Sequence, residues 1–198
     1  MTRLGLLGGT FDPPHYGHLA AAQEAHWQLG LERVLFLPAR QNPLKRGEGS
    51  SDSRTRCEMV RLAIDGDDRF ELSELDLAGA GPSYTVDLLR LLARPDRELY
   101  FLAGADILAE LPRWHAPLEI LQLATLVIAT RPGTPAPNLQ LIEQQLPGAA
   151  GRIRVLDIPG VDIASRDLRA RVRAGQPIRY LTPPAVERYI AEERLYQG

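Results

Sequence analysis

The chain is short of cysteine, of any excess of one charge, and of long apolar runs. A single cysteine, Cys57, stands among 198 residues, so no internal disulfide can form. The 23 basic and 25 acidic side chains leave a formal net charge of −2. That balance lacks the one-sided basic face from which proteins that coat nucleic acids draw affinity, and no nucleic-acid partner is expected. No apolar run reaches the length of a membrane span, and the opening apolar stretch is too short for the core of a secretion signal. No membrane partner is expected, and the compartment is read as cytoplasmic. Two nucleotide-binding fingerprints are also missing. The first turn reads Gly5-Leu-Leu-Gly8-Gly9-Thr10 rather than G-x-G-x-x-G, with Pro38 rather than an acid closing the second strand, which excludes a dinucleotide-binding dehydrogenase. There is no G-x-x-x-x-G-K-[ST], which excludes a P-loop kinase or ATPase.

What is present alternates. Short β-rich runs near Arg3–Leu7, Arg33–Pro38, Arg69–Leu75, Glu98–Ala103, Thr125–Thr130 and Ile153–Ile158 are separated by helical periodicity. Helices are expected over Gly17–Leu29, Ser53–Ile64, Tyr84–Leu92, Ala105–Leu111, Ala116–Gln122, Asn138–Gln145, Ser165–Ala174 and Pro183–Glu192. Such alternation predicts an α/β fold, a Rossmann-like doubly wound parallel sheet in three α/β/α layers. The breaks at 40–51, 79–82 and 131–137 are loops rather than domain linkers. A single domain over 1–198 is expected, its C-terminal helical part from about residue 163 packed on the rest. An oligomer is compatible with the sequence, which does not specify one.

The most informative stretch is Gly8 to Leu19, GGTFDPPHYGHL. An apolar strand runs into two glycines, where a turning backbone can let an anion approach its N–H groups. Pro13 and Pro14 cannot extend a strand ladder, so the chain loops outward before a helix near Gly17 whose first turn offers unpaired amides and a positive dipole end. His15 and His18 flank that opening. Both can donate to phosphate oxygens, and cationic character is expected of both beside a triphosphate. A zinc site would need further ligands, and Cys57, His26 and His115 lack ligand spacing, so no protein-held metal is expected.

GGTFDPPHYGH resembles the (T/H)xGH signature of the nucleotidyltransferase superfamily. Its HxGH form is similar to the branch that adenylylates nicotinate mononucleotide, and the likeness extends over essentially the whole chain. The resemblance implies ATP, arriving with Mg2+, and nicotinate mononucleotide as substrates. It assigns catalysis to His15 and His18, and ATP binding to Gly8, Gly9, Thr10, Phe11, His15, His18, Lys45, Asp106, Ser165 and Arg169. Lys45 follows Pro43 as in the family's Pro-Pro-His-Lys, with Leu44 in place of the histidine. Ile163-Ala-Ser-Arg-Asp-Leu-Arg169 resembles the family's I-S-S-T-x-I-R, with Arg166 in place of the threonine. For the mononucleotide it implies Ser83, Tyr84, Thr85, Gly104, Asp106, Trp114, His115 and Arg131: the Thr85 and His115 amides on the carboxylate, Trp114 on the pyridine ring and Arg131 toward the phosphate. Ser83 and Ser165 are expected to cap helices. Asp106 also fits as a dipole partner at a helix start, and Arg131 as a surface residue before Pro132. Two alternatives stay open: an adenylyltransferase for another acceptor, such as phosphopantetheine or nicotinamide mononucleotide, and a nucleotide sensor without turnover.

Overall fold

The computed structural model describes residues 1–40, 51–78, 83–105, 107–130, 133 and 136–197. Six strands, β1 (Thr2–Gly9), β2 (Arg33–Pro38), β3 (Phe70–Leu72), β4 (Arg97–Gly104), β5 (Ala124–Thr130) and β6 (Ile153–Asp157), form one parallel sheet in the order β3-β2-β1-β4-β5-β6. The helices are α1 (Tyr16–Leu29), α2 (Ser53–Ile64), α3 (Thr85–Leu92), α4 (Ile107–Glu110), α5 (Pro117–Leu123), α6 (Leu139–Gln145), α7 (Ser165–Arg173) and α8 (Pro184–Glu192). This is the doubly wound arrangement expected from the alternating pattern.

Strand side chains alternate between the two faces with the period of two that the pleat imposes. Leu35 and Leu37 of β2 join Leu4, Leu6, Phe101 and Ile128 under α3, α5 and α6, while Val34 and Phe36 join Leu7, Tyr100 and Leu102 under α1 and α2. Both faces are covered, so the central strands read as unbroken apolar runs. A third cluster joins Met59 of α2 to Leu168 of α7, Ile178, and Val186 and Ile190 of α8. The C-terminal elements are thereby fastened to the α2 side of the sheet.

Most expected ends agree to within a residue, and two elements are shorter than expected. β3, at the sheet edge, stops at Leu72 instead of reaching Leu75, and Leu75–Ala78 winds into a 3-10 turn. The turn's Asp76 carboxylate accepts the Arg40 N–H at 2.9 Å, an interaction a longer strand would not form. The helix expected over Ala105–Leu111 is shortened to α4 and followed by a 3-10 turn at Leu111–Arg113, because Pro112 cannot donate to an α ladder. Neither expected serine cap forms. Tyr84 occupies the cap position of α3 and Ala164 that of α7, leaving Ser83 one residue before its cap and Ser165 one residue after.

Five carboxyl groups are held below their ordinary values. Asp52 accepts from the backbone N–H and hydroxyl of Thr55 at the start of α2; Glu58, Asp67 and Glu119 each bond an arginine; Glu143 takes two backbone N–H groups. A depressed carboxyl stabilises the fold fully above its unfolded value and loses that contribution as pH falls through its folded one. The melting temperature is therefore expected to hold between neutral pH and about 5 and to fall below the ordinary Glu and Asp values of 4.5 and 3.8. Thermal melts across that range check it; a melting temperature that rose on acidification would contradict the assignment.

Candidate functional site

At the C-terminal edge of the sheet, β1 pairs with β2 on one side and β4 on the other, so the crossovers leave in opposite directions and open a crevice. The loop after β1 fills one lip of it. Its carbonyls are held from inside the protein by side chains of three separate segments. Thr10 O accepts from Arg56 Nη1 at 2.9 Å, Asp12 O from Arg169 Nη1 at 2.7 Å, Pro13 O from Ser165 Oγ at 2.8 Å, and Pro14 O from Thr182 Oγ1 at 2.7 Å. The Asp12 carboxylate is buried and accepts from the Ser51 N–H at 3.1 Å and the Tyr196 hydroxyl at 2.5 Å, with Arg169 Nη1 3.9 Å away. Burial first, and then the bond to Asp12, push the Tyr196 hydroxyl well above the usual tyrosine value, so it remains a donor.

The two histidines lie side by side at the start of α1, ring centroids 3.7 Å apart and nearly parallel. The His15 N–H donates to His18 Nδ1 at 3.2 Å, and the His18 N–H donates to His15 O at 2.9 Å. A nitrogen that accepts carries no hydrogen of its own, so this network assigns the His18 hydrogen to Nε2. Phe11, in the left-handed region at φ 52, places its buried ring edge-on to His18 at 5.0 Å. Gly17 explains the stack: a Cβ there would stand 3.0 Å from His15 Nδ1 and 3.1 Å from its Cε1. The Tyr16 N–H is taken by Leu181 O at 3.3 Å, which leaves the Gly17 amide as the next first-turn donor of α1.

A second group faces the site from the other half of the sheet. The rings of Tyr84 and His115 meet at 4.7 Å, bringing the Ser83-Tyr84-Thr85 and Trp114-His115 elements together. Thr85 is the first residue of α3, where an amide has no partner within the helix. Trp114, half-buried, meets Phe101 of β4 edge-on at 6.1 Å, and its indole N–H is buried without an acceptor among the described residues. Arg90 of α3 binds Glu119 of α5 through two bonds of 2.7 and 2.6 Å, tying together the helices that carry this group.

Gly8 is exposed at the end of β1, and a Cβ at Gly9 would crowd the Phe11 ring at 3.0 Å. Gly104 ends β4 and is exposed. Ser165 and Arg169 direct the bonds given above to the loop carbonyls, while Arg166 faces solvent beside Asp167. Lys45, Asp106 and Arg131 lie outside the described residues, as does Leu44. Among the described residues no group of three or more His, Cys, Asp or Glu could hold a metal ion. The loop's internal supports Arg56, Thr182 and Tyr196 did not emerge from the sequence reading. Arg56 alone had left a signal: it lies three and four residues before Met59 and Val60, on the buried stripe of α2, where an arginine is out of place.

The family described as cytidylyltransferase-like matches residues 6–171. A protein of Symbiobacterium thermophilum described as a probable nicotinate-nucleotide adenylyltransferase is 47% identical over 199 residues, covering 99% of this chain and 96% of that one. A protein of Thermomicrobium roseum with the same description is 46% identical over 199 residues, covering 100% and 92%. The structure of Plasmodium falciparum nicotinic acid mononucleotide adenylyltransferase complexed with NaAD superposes with a TM-score of 0.81 over 99% of this chain and 98% of that one. At 18% identity that likeness is one of fold.

Gly17→Ala tests the stacked pair. Alanine favours a helix over glycine by about 1 kcal/mol, so the melting temperature is expected to hold or rise. Displacing the His15 ring is expected to lower turnover about 10- to 100-fold. Turnover equal to wild type in a folded variant would show that the stack is dispensable.

Proposed function

The chain belongs to the cytidylyltransferase-like family, and we propose that it transfers the adenylyl group of ATP to nicotinate mononucleotide, releasing pyrophosphate and forming nicotinate adenine dinucleotide, a step of NAD biosynthesis. The observation that carries the reading is the pair of stacked histidines at the mouth of α1, beside a loop whose Thr10, Asp12, Pro13 and Pro14 carbonyls are turned toward internal donors.

In this reaction a phosphate oxygen of the mononucleotide attacks the α-phosphorus of ATP in line, and pyrophosphate leaves. The nucleophile arrives ionised, so the protein need supply no general base. Its contribution is to hold two anions together and to meet the charge that develops on the transferring phosphorus. His18 Nε2–H and the His15 ring are the catalytic donors to the phosphate oxygens. The amides of Gly8 to Phe11 and the first turn of α1 face the rest of the triphosphate, with Lys45, Asp106, Ser165 and Arg169 completing the ATP side. ATP enters as its Mg2+ complex, the ion coming with the substrate.

The acceptor lies against the second group. The Thr85 and His115 amides meet the nicotinate carboxylate, Trp114 stacks on the pyridine ring, and Ser83, Tyr84, Gly104, Asp106 and Arg131 surround the remainder. A carboxylate at the start of α3 is favoured by that helix's dipole, which supports nicotinate over nicotinamide. The reading takes the chain as one nucleotidyltransferase domain working in the cytoplasm on soluble substrates.

The test is pyrophosphate release from MgATP with a panel of acceptors: nicotinate mononucleotide, nicotinamide mononucleotide and phosphopantetheine. Nicotinate mononucleotide is expected to be preferred. Release with phosphopantetheine alone would replace the acceptor, and ATP binding without release on any of the three would make the protein a sensor. His18→Ala is expected to lose about 10^2- to 10^3-fold in turnover, measured in the same assay. Trp114→Ala is expected to raise KM for the mononucleotide more than for ATP; equal rises for both would rule out stacking.

A further inference from the structure

Arg56 is 1% exposed, and its guanidinium donates to backbone carbonyls of three segments: Thr10 O at 2.9 Å after β1, Ser51 O at 3.1 Å before α2, and Arg40 O at 3.5 Å after β2. No carboxylate lies within ion-pair distance of it among the described residues. A buried cation bonded only to carbonyls is costly, and an apolar side chain on the same stripe of α2 would pack the helix without that cost. The arginine therefore needs a reason other than packing.

The peptide plane supplies one. In a trans peptide the C=O and the following N–H point in opposite directions. The Thr10–Phe11 peptide is trans, and Arg56 draws the Thr10 carbonyl into the protein. The Phe11 N–H is thereby aimed away from Arg56, and it has no acceptor among the described residues. Farther along the loop the same inward pull by Arg169, Ser165 and Thr182 falls on peptides whose next residues are Pro13, Pro14 and His15. Pro13 and Pro14 have no N–H, and the His15 N–H is spent on His18 Nδ1. Phe11 is thus the one residue of this run whose amide is both oriented by an internal clamp and left for a ligand.

Resting on the triphosphate site argued above, we propose that Arg56 is a positioning residue that aims the Phe11 amide at a phosphate oxygen of ATP, and that it does so through its fork of donors rather than its charge alone. The same guanidinium ties the ends of β1 and β2 to the start of α2, so its own position is fixed by carbonyls of three segments. Arg56 itself touches no substrate.

The experiment compares Arg56→Lys and Arg56→Met with wild type, and with Ile142→Ala, a buried substitution in α6 outside the site that reports the effect of lost stability alone. Steady-state constants are measured for MgATP and for nicotinate mononucleotide, with MgATP binding followed by calorimetry. Both Arg56 variants are expected to lose about 10- to 100-fold in kcat/KM for ATP and to bind MgATP more weakly, while KM for the mononucleotide changes less than twofold. Lysine keeps the charge but cannot reach three carbonyls, so it should not rescue. Full rescue by lysine would overturn the fork argument. Equal loss toward both substrates, or the Ile142→Ala pattern of lower stability with unchanged KM values, would reduce Arg56 to a structural role. If Arg56→Met does not fold, Arg56→Lys carries the comparison. Absence of pyrophosphate release from wild type would sink the assigned reaction, yet the MgATP calorimetry would still read the proposed positioning.

Discussion

Carbonyl groups in a loop that contains two prolines outnumber the N–H groups available to pair with them, and a buried carbonyl must find a donor somewhere. In this protein the donors at Thr10, Asp12, Pro13 and Pro14 are all side chains, drawn from α2, α7 and the segment before α8. The loop that follows β1 is therefore no local turn. Its shape is decided by residues that lie 46 to 168 positions further along the chain. The C-terminal helices, which add nothing to the sheet, are what give the first crossover its form. Their own packing on Met59 of α2 completes the circuit, because α2 also carries Arg56.

This arrangement separates two demands that the proposed phosphate site places on the loop. The backbone must be rigid enough to present amides in fixed directions, and it must leave those amides unpaired. At Thr10, pairing the carbonyl inward meets both demands at once, since it fixes the Phe11 N–H on the opposite side of that peptide. The proline pair reduces the number of amides without reducing the number of carbonyls to be gripped. The buried Asp12 supports the same end: it takes the Tyr196 hydroxyl and the Ser51 N–H, so that the chain terminus and the start of α2 meet at one carboxylate beneath the loop.

The strands, the helices between them and the doubly wound parallel sheet were legible because parallel strands covered on both sides announce themselves as apolar runs between helical segments. The motif Gly8 to Leu19 was legible because its residues act within a few positions of one another: His15 and His18 are neighbours on α1, and Gly17 is the glycine between them. What escaped were interactions whose partners are remote in sequence. A serine before a helix looks like a cap, yet Ser165 bonds Pro13, 152 residues away, and Ala164 takes the cap position. A threonine in Leu-Thr-Pro and a tyrosine near the end of the chain carry no pattern that names Pro14 or Asp12. Arg56 did break a pattern, standing on the buried stripe of its helix, but the break says only that something polar must be inside. It does not say what.

The histidine pair shows how the backbone sets the direction of a side-chain donor. The rings stack 3.7 Å apart, and His18 Nδ1 accepts the His15 N–H. With Nδ1 committed, the Nε2–H remains the one hydrogen His18 can offer. Its direction is set by α1, by the Phe11 ring against its edge, and by the glycine that lets His15 lie flat upon it. The anionic substrates bring charge enough of their own. In the proposed reaction the protein adds hydrogen-bond donors, and the backbone of residues 10 to 18 holds the two rings that would supply them.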